Sequence, residues 1–253
     1  MTKKKVLVTG MSGCIGGAVL RYLGQKYDFT ALNRRPVQGV RSLSADIKDF
    51  DSIRPHFDGQ DVVVHLAASL GADVTPKDII DNNVSGTLNV FEAAKQAGVK
   101  RVVFASSGTI ILNYVLDSPW RELESGEYDK LPPTWPMITH ESPIRPNSAY
   151  SCSKVWGEAV GRWYADSYGL SVLCIRFGWV PVNDRPSTVR SRAVWCSQRD
   201  AAQMVDKCIE ARDSLRFDIF YAMSKCKYNY RDITHARDVI GFEPQDNADD
   251  YPQ

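Results

Sequence analysis

Two kinds of hydrophobic pattern alternate along the chain. Val6-Leu7-Val8, Asp28–Asn33, Asp61–Ala68, Arg101–Ala105, Leu170–Phe177 and Phe217–Tyr221 hold short apolar runs, which suit strands buried on both faces of a parallel sheet. Val40–Ala45 reads as a further short strand, ending at Asp46. Between the runs, apolar residues recur at helical spacing. One helix starts near Cys14 and runs through Ala18, Val19, Leu20 and Leu23. Others are predicted over Phe50–Phe57, Pro76–Gly98, Ser148–Gly169, from Ser197 to about Ala211, and over Thr234–Ile240. Ser197 is a candidate N-cap, with Asp200 three residues on in capping-box position. Strand and helix in alternation predict an α/β fold, a doubly wound parallel sheet of Rossmann type.

Two stretches lack this rhythm. Residues 117–147 hold six prolines together with Trp120, Tyr128 and Trp135. They are too aromatic for a disordered linker and too long for a simple turn, so a lid over a substrate is expected. The second stretch, 178–194, is rich in Pro and Arg.

At 253 residues the chain suits one large domain over 1–253, with substrate-binding segments at 117–147 and 178–253, the latter forming a small C-terminal part. A formal net charge of +1 gives no reason to expect a nucleic-acid or membrane-surface partner. The apolar runs are strand-sized, and Lys3-Lys4-Lys5 leads straight into the first strand rather than into a signal peptide. No cysteine pair has C-x-x-C spacing, which suits free thiols in a reducing cytoplasm. The four histidines form no metal-ligand pattern, so no metal is expected.

The first strand breaks at Gly10, and glycines follow at 13 and 16 as the first helix begins. A G-x-x-G-x-x-G turn between a strand and a helix suits a dinucleotide pyrophosphate. The glycines allow the tight turn, the approach of the phosphate and close helix packing, and the helix N-terminus offers unpaired N–H groups. Ser12, Cys14 and Ile15 complete the expected turn. Strand two ends at Asn33-Arg34-Arg35. An acid normally binds the ribose hydroxyls of NAD at this place, whereas two arginines suit the 2′-phosphate of NADP. NADP is therefore the expected cofactor and NAD the alternative. Leu66-Ala67-Ala68 ends the fourth strand in small residues over which a dinucleotide can lie.

Tyr150 and Lys154 stand four apart, on one helix face. A nearby ammonium lowers a phenol's pKa, and the phenolate can then take a proton from an alcohol as hydride leaves the same carbon for nicotinamide. A serine at the end of the fifth strand, Ser107 rather than its neighbour Ser106, is expected to hold the substrate oxygen.

With Asp61–Ala68, the Asn83–Asn89 helix, Phe104-Ala105-Ser106-Ser107, Tyr150–Lys154 and Arg176-Phe177-Gly178, the chain resembles the extended short-chain dehydrogenase/reductases of the NAD-dependent epimerase/dehydratase superfamily. The last three of these stretches, with Gly157-Glu158, with Arg190, Trp195 and Ser197 and with Gly241–Ala248, are similar to uronate dehydrogenases, sugar dehydrogenases that oxidise the anomeric carbon of a sugar acid to a lactone with NAD. The resemblance implies an oxidoreductase of carbohydrate metabolism with Ser107, Tyr150 and Lys154 catalytic. It implies cofactor contacts extending to Asp46, Ile47 and Asn83, and substrate contacts at Ser69, Ser107, Gly108 and Arg190, the last gripping a carboxylate. A homodimer is compatible with it. Two other functions use the same framework: a nucleotide-sugar epimerase or dehydratase that retains its NAD, and a non-catalytic dinucleotide-binding protein.

Overall fold

In the computed structural model, which describes residues 2–251, seven strands form one sheet in the order β3-β2-β1-β4-β5-β6-β7. They are β1 (Lys5–Thr9), β2 (Asp28–Asn33), β3 (Arg41–Ser44), β4 (Val62–His65), β5 (Arg101–Ser107), β6 (Ser171–Phe177) and β7 (Phe217–Ala222). Every neighbouring pair is parallel, with Leu7 opposite both Thr30 and Val63. Met1, Pro252 and Gln253, the ends of the domain expected over 1–253, lie outside the described residues.

The helices are α1 (Cys14–Leu23), α2 (Phe50–Ile53), α3 (Pro76–Asp78), α4 (Gly86–Gln96), α5 (Trp120–Ser125), α6 (Ala149–Tyr168), α7 (Val189–Ala193), α8 (Gln198–Glu210) and α9 (Thr234–Ile240). Side chains of a strand alternate between faces, and the core divides accordingly. Val6, Val8, Val103 and Ala105 join Val19 of α1 and Val205 of α8. Leu7, Val63, Val102 and Phe104 join Phe91 of α4 and Tyr164 of α6. A third cluster joins Ile110, Leu123, Ile138, Val194, Met223 and Tyr230, uniting the stretches that lack periodicity.

Three expectations change in detail. The helix over Pro76–Gly98 is interrupted by a π-helical segment, Ile79–Ser85, between α3 and α4. The wider turn carries Asn83 to Ser69, whose N–H it accepts at 2.7 Å and whose carbonyl it donates to at 3.0 Å. Phe50–Phe57 tightens to a 3₁₀ turn from Arg54 onward, with Pro55 in its first turn. Ser197 caps α8 as expected, accepting the Asp200 N–H at 3.0 Å. Asp200, however, does not complete the box. Its buried carboxylate accepts from the backbone of Gln245 and Asp246 and from Ser224, tying down the C-terminal segment.

The stretch 117–147 is held at discrete points. It contains α5, Tyr128 stacks on Tyr228 with ring centres 3.6 Å apart, and the Trp135 indole donates to Asn229 O at 3.1 Å. His140 and His235, remote in sequence, also stack at 3.8 Å, and with Asp218 they bring three ligand-type atoms within 4.8 Å of one another. This grouping is invisible in the histidine spacing. No helix of the described residues is long and apolar enough to cross a membrane.

Candidate active site

The strand order reverses between β1 and β4, and the glycine turn stands at that switch. Gly10 adopts φ +73°, and a Cβ there would come within 2.6 Å of Ala67 N. A Cβ on Gly16 would fall 2.4 Å from Met11 Cα. Glycine at both positions lets the turn, α1 and the end of β4 pack without side chains between them. Gly13 caps α1 without a side-chain hydrogen bond, and the first turn holds no acid. The helix start therefore presents N–H groups and positive dipole to a cleft of about 1180 Å³. Such a turn fits a dinucleotide pyrophosphate.

The cleft wall gathers the expected Gly10, Ser12, Gly13, Cys14, Ile15 and Gly16, then Asn33, Arg34 and Arg35, then Leu66, Ala67 and Ala68. Asn33 closes the turn from β2. Its amide oxygen accepts from Met11 N at 3.1 Å, and its amide nitrogen donates to Ser12 Oγ at 2.8 Å. Arg34 and Arg35 are exposed, and neither guanidinium has an acidic partner among the described residues.

Ser107, Tyr150 and Lys154 meet in the same cleft. Ser148 caps α6 by accepting Ser151 N–H at 3.2 Å, which places Tyr150 in the first turn. A Cβ on Gly157 would sit 2.3 Å from the Phe104 ring. This close approach lays α6 on β5 and lets buried Lys154 donate to Ala105 O at 2.8 Å. Ser107 and Thr109 hydroxyls lie 2.9 Å apart, and Ser151 donates to Thr109 at 3.0 Å.

The electrostatics differ from the expected pattern in one respect. Burial raises the Tyr150 pKa, and the group that lowers it is Ser107 rather than Lys154. Burial also brings Lys154 down to about 8, and its ammonium lies 5.5 Å from the Tyr150 ring centre while it serves the Ala105 carbonyl. Beneath the site, His65 is held between Thr9 at 2.7 Å and Thr87 at 3.0 Å. Burial, then the Lys154 charge, takes its pKa down to about 3, so it is neutral.

Five expected contacts stand off the cleft wall. Asp46 turns back to Lys48, accepting its N–H at 3.0 Å. Ile47 is buried against Gly86. Asn83 spends its amide on Ser69 and Ser153, and Leu70 rather than Ser69 lines the cleft. Gly108 lies behind Arg231, whose guanidinium Nη1 is 2.4 Å from where a Cβ would be. Arg190 does reach the cleft, but exposed and paired: its Nε lies 2.9 Å from Glu124 Oε2, and Tyr230 donates to the other Glu124 oxygen at 2.5 Å. Thr109, Glu124 and Arg231 line the cleft without having been expected there. No periodicity or motif marks them, since each is delivered by a segment whose path depends on the third core cluster.

A phosphate-cradling turn at the switch point, facing a serine, a tyrosine and a lysine, defines a nicotinamide-dinucleotide protein of the doubly wound class. The chain belongs to the NAD dependent epimerase/dehydratase family, whose profile matches residues 6–241. It is 33% identical to L-arabinose 1-dehydrogenase (NAD(P)(+)) of Haloferax volcanii, covering 96% of this chain and 97% of that one. It is 32% identical to NAD-dependent glucose-6-phosphate dehydrogenase of the same organism, covering 97% and 95%. The crystal structure of uronate dehydrogenase from Agrobacterium tumefaciens superposes with a TM-score of 0.81 at 25% identity, covering 99% of this chain and 87% of that one.

Proposed function

We propose that the protein is an NAD(P)-dependent sugar dehydrogenase that oxidises a sugar or sugar acid at the anomeric carbon, giving a lactone. The observation that carries this reading is the meeting of Ser107, Tyr150 and Lys154 on one cleft wall, with the Lys154 ammonium 5.5 Å from the Tyr150 ring centre, opposite the glycine turn. Two relatives above 30% identity over nearly the whole chain are sugar dehydrogenases, which supports it.

Bound nicotinamide would supply the hydride acceptor. Ser107 donates to the substrate oxygen, and its place beside Tyr150 favours the phenolate. Tyr150 removes the hydroxyl proton. Lys154, fixed by Ala105 O, maintains a positive charge beneath the tyrosine and offers donors to a cofactor ribose. The glycine turn with Ser12, Cys14 and Ile15 would hold the pyrophosphate.

NADP is the preferred form in this reading, with NAD the alternative. Asn33 occupies the acid's usual place and is committed to the turn, while Arg34 and Arg35 face the cleft and match a 2′-phosphate. Segments 117–147 and 178–253 form the substrate side, with Glu124 and Arg190 as a donor–acceptor pair at the cleft. Residues 117–147 act as the lid, which requires their hydrogen exchange to slow when cofactor and sugar bind together.

Reduction of NAD and NADP should be followed with L-arabinose, D-glucose, D-glucose 6-phosphate and D-glucuronate. Oxidation of at least one sugar to a lactone is expected. Folded protein that reduces neither cofactor with any sugar removes the reading, and protein that purifies with tightly held NAD and interconverts nucleotide sugars replaces it with the epimerase alternative.

A further inference from the structure

We propose that Arg231 selects an anionic substituent, a carboxylate or a phosphate, on the substrate of this cleft; the inference rests on the sugar-dehydrogenase reading.

Buried arginines elsewhere in the molecule spend their donors on the protein. Arg101 donates to Ser171 Oγ and to the carbonyls of Cys208, Ile209, Ala211 and Arg212. Arg176 forms two 2.9 Å bonds to Glu158 and reaches His140 O and Tyr221. Arg231 differs from both. It is 3% exposed, yet among the described residues no carboxylate lies within ion-pairing distance, and its buried Nε has no hydrogen-bond partner. Nη1 meets the Met223 sulfur at 3.8 Å, and the Tyr230 side chain, whose hydroxyl the Arg231 charge draws toward ionisation, packs beside the guanidinium with the ring centre 5.4 Å away. A buried charge left this way is costly unless a partner arrives.

The surrounding chain builds the position. Arg231 N–H donates to Asn229 Oδ1 at 3.0 Å, and Asn229 returns a bond to Arg231 O at 2.8 Å, so the backbone is locked. Gly108, directly after Ser107, leaves the space that Nη1 occupies, since a Cβ there would be 2.4 Å away. The guanidinium is thus pressed against the strand end that carries Ser107, and it lines the cleft with Ser107 and Tyr150. The nearest acidic candidate, Glu124, is already engaged by Arg190 and Tyr230. Arg190 therefore brings a charge paired with a carboxylate, whereas Arg231 brings one that no carboxylate pairs directly. A guanidinium fork is matched in shape by the two oxygens of a carboxylate or phosphate.

The test is kcat/KM at saturating cofactor for D-glucuronate, D-glucose 6-phosphate and neutral D-glucose, in wild type, Arg231→Gln and Gly108→Ala. Wild type should favour one anionic sugar over glucose by at least ~10-fold, and each variant should shrink that ratio by at least ~10-fold, equivalent to ~1.4 kcal/mol. Glucuronate and glucose 6-phosphate separate a carboxylate site from a phosphate site. Gly108→Ala retains the charge but displaces it, so it tests the same point should Arg231→Gln fail to melt cooperatively. Equal losses for anionic and neutral sugars, or wild-type preference for glucose, overturn the inference while leaving the dehydrogenase reading intact. No oxidation of any sugar removes both.

Discussion

Ser106 and Ser107 both line the cleft, but the Ser106 hydroxyl donates to Glu158 Oε1 across 2.5 Å, which leaves the Ser107 hydroxyl to serve the cleft. Adjacent residues of a strand point to opposite faces, so β5 assigns the two serines to different work. Glu158 also receives both bonds from Arg176, and Ser106 completes that buried carboxylate. Ser107→Ala should lower turnover by ~10²-fold or more, the usual scale of a group acting on the transferred proton. Ser106→Ala should instead cost ~1–3 kcal/mol in a denaturant melt, the penalty for a buried acceptor losing a donor. Turnover lost with Ser106 and retained without Ser107 would reverse the assignment.

Tyr150→Phe should bind cofactor normally and lose at least ~10²-fold in kcat. The direction of the pKa shift gives a finer test. Oxidation needs the Tyr150 oxygen deprotonated, so kcat/KM should climb with pH until that group has lost its proton. Ser107 lowers the tyrosine's pKa, and its removal should move this limb to higher pH. A profile of Ser107→Ala superimposable on wild type would exclude Tyr150 as the titrating base.

Arg34→Ala with Arg35→Ala should narrow the preference for NADP over NAD, measured by cofactor titration. A hydrogen bond to a charged group contributes ~1.5–3 kcal/mol, so the ratio of affinities should contract by ~10-fold or more. Wild type that binds both cofactors equally would remove the 2′-phosphate argument.

His65 makes the fold acid-sensitive. Its pKa is about 3 in the folded chain against an ordinary 6.5. Between these values the unfolded chain takes up a proton that the folded chain excludes, so stability falls as pH drops below about 6.5 and this contribution levels off near 3. The slope approaches ~1.4 kcal/mol per pH unit, or ~2 kcal/mol between pH ~6.5 and ~5. His65→Gln can still bridge Thr9 and Thr87 and should lack that component, so the difference between the two proteins' melts should track pH. Parallel pH dependences would show that His65 charges without unfolding the site.

The strands, most of the helices and the glycine turn were legible because they rest on local physics. Val6-Leu7-Val8 or Val62-Val63-Val64 bury on both faces wherever the sheet lies, and Gly10 to Gly16 suits the turn by lacking side chains. The same holds for Tyr150 and Lys154, whose spacing on one helix face is intrinsic. Tertiary structure decided everything that depends on two distant segments meeting. The π-helical segment that turns Asn83 inward, Asp200 leaving its capping box for Gln245 and Asp246, and the meeting of His140 with His235 have no local signature. Arg190 stood out in the sequence by its interval to Trp195, but only packing could show that Glu124 balances its charge. Arg231 carried no signal at all. A charge becomes functional through what surrounds it, and Gly108, Tyr230 and Met223 surround this one only after β5, β7 and the C-terminal segment have come together.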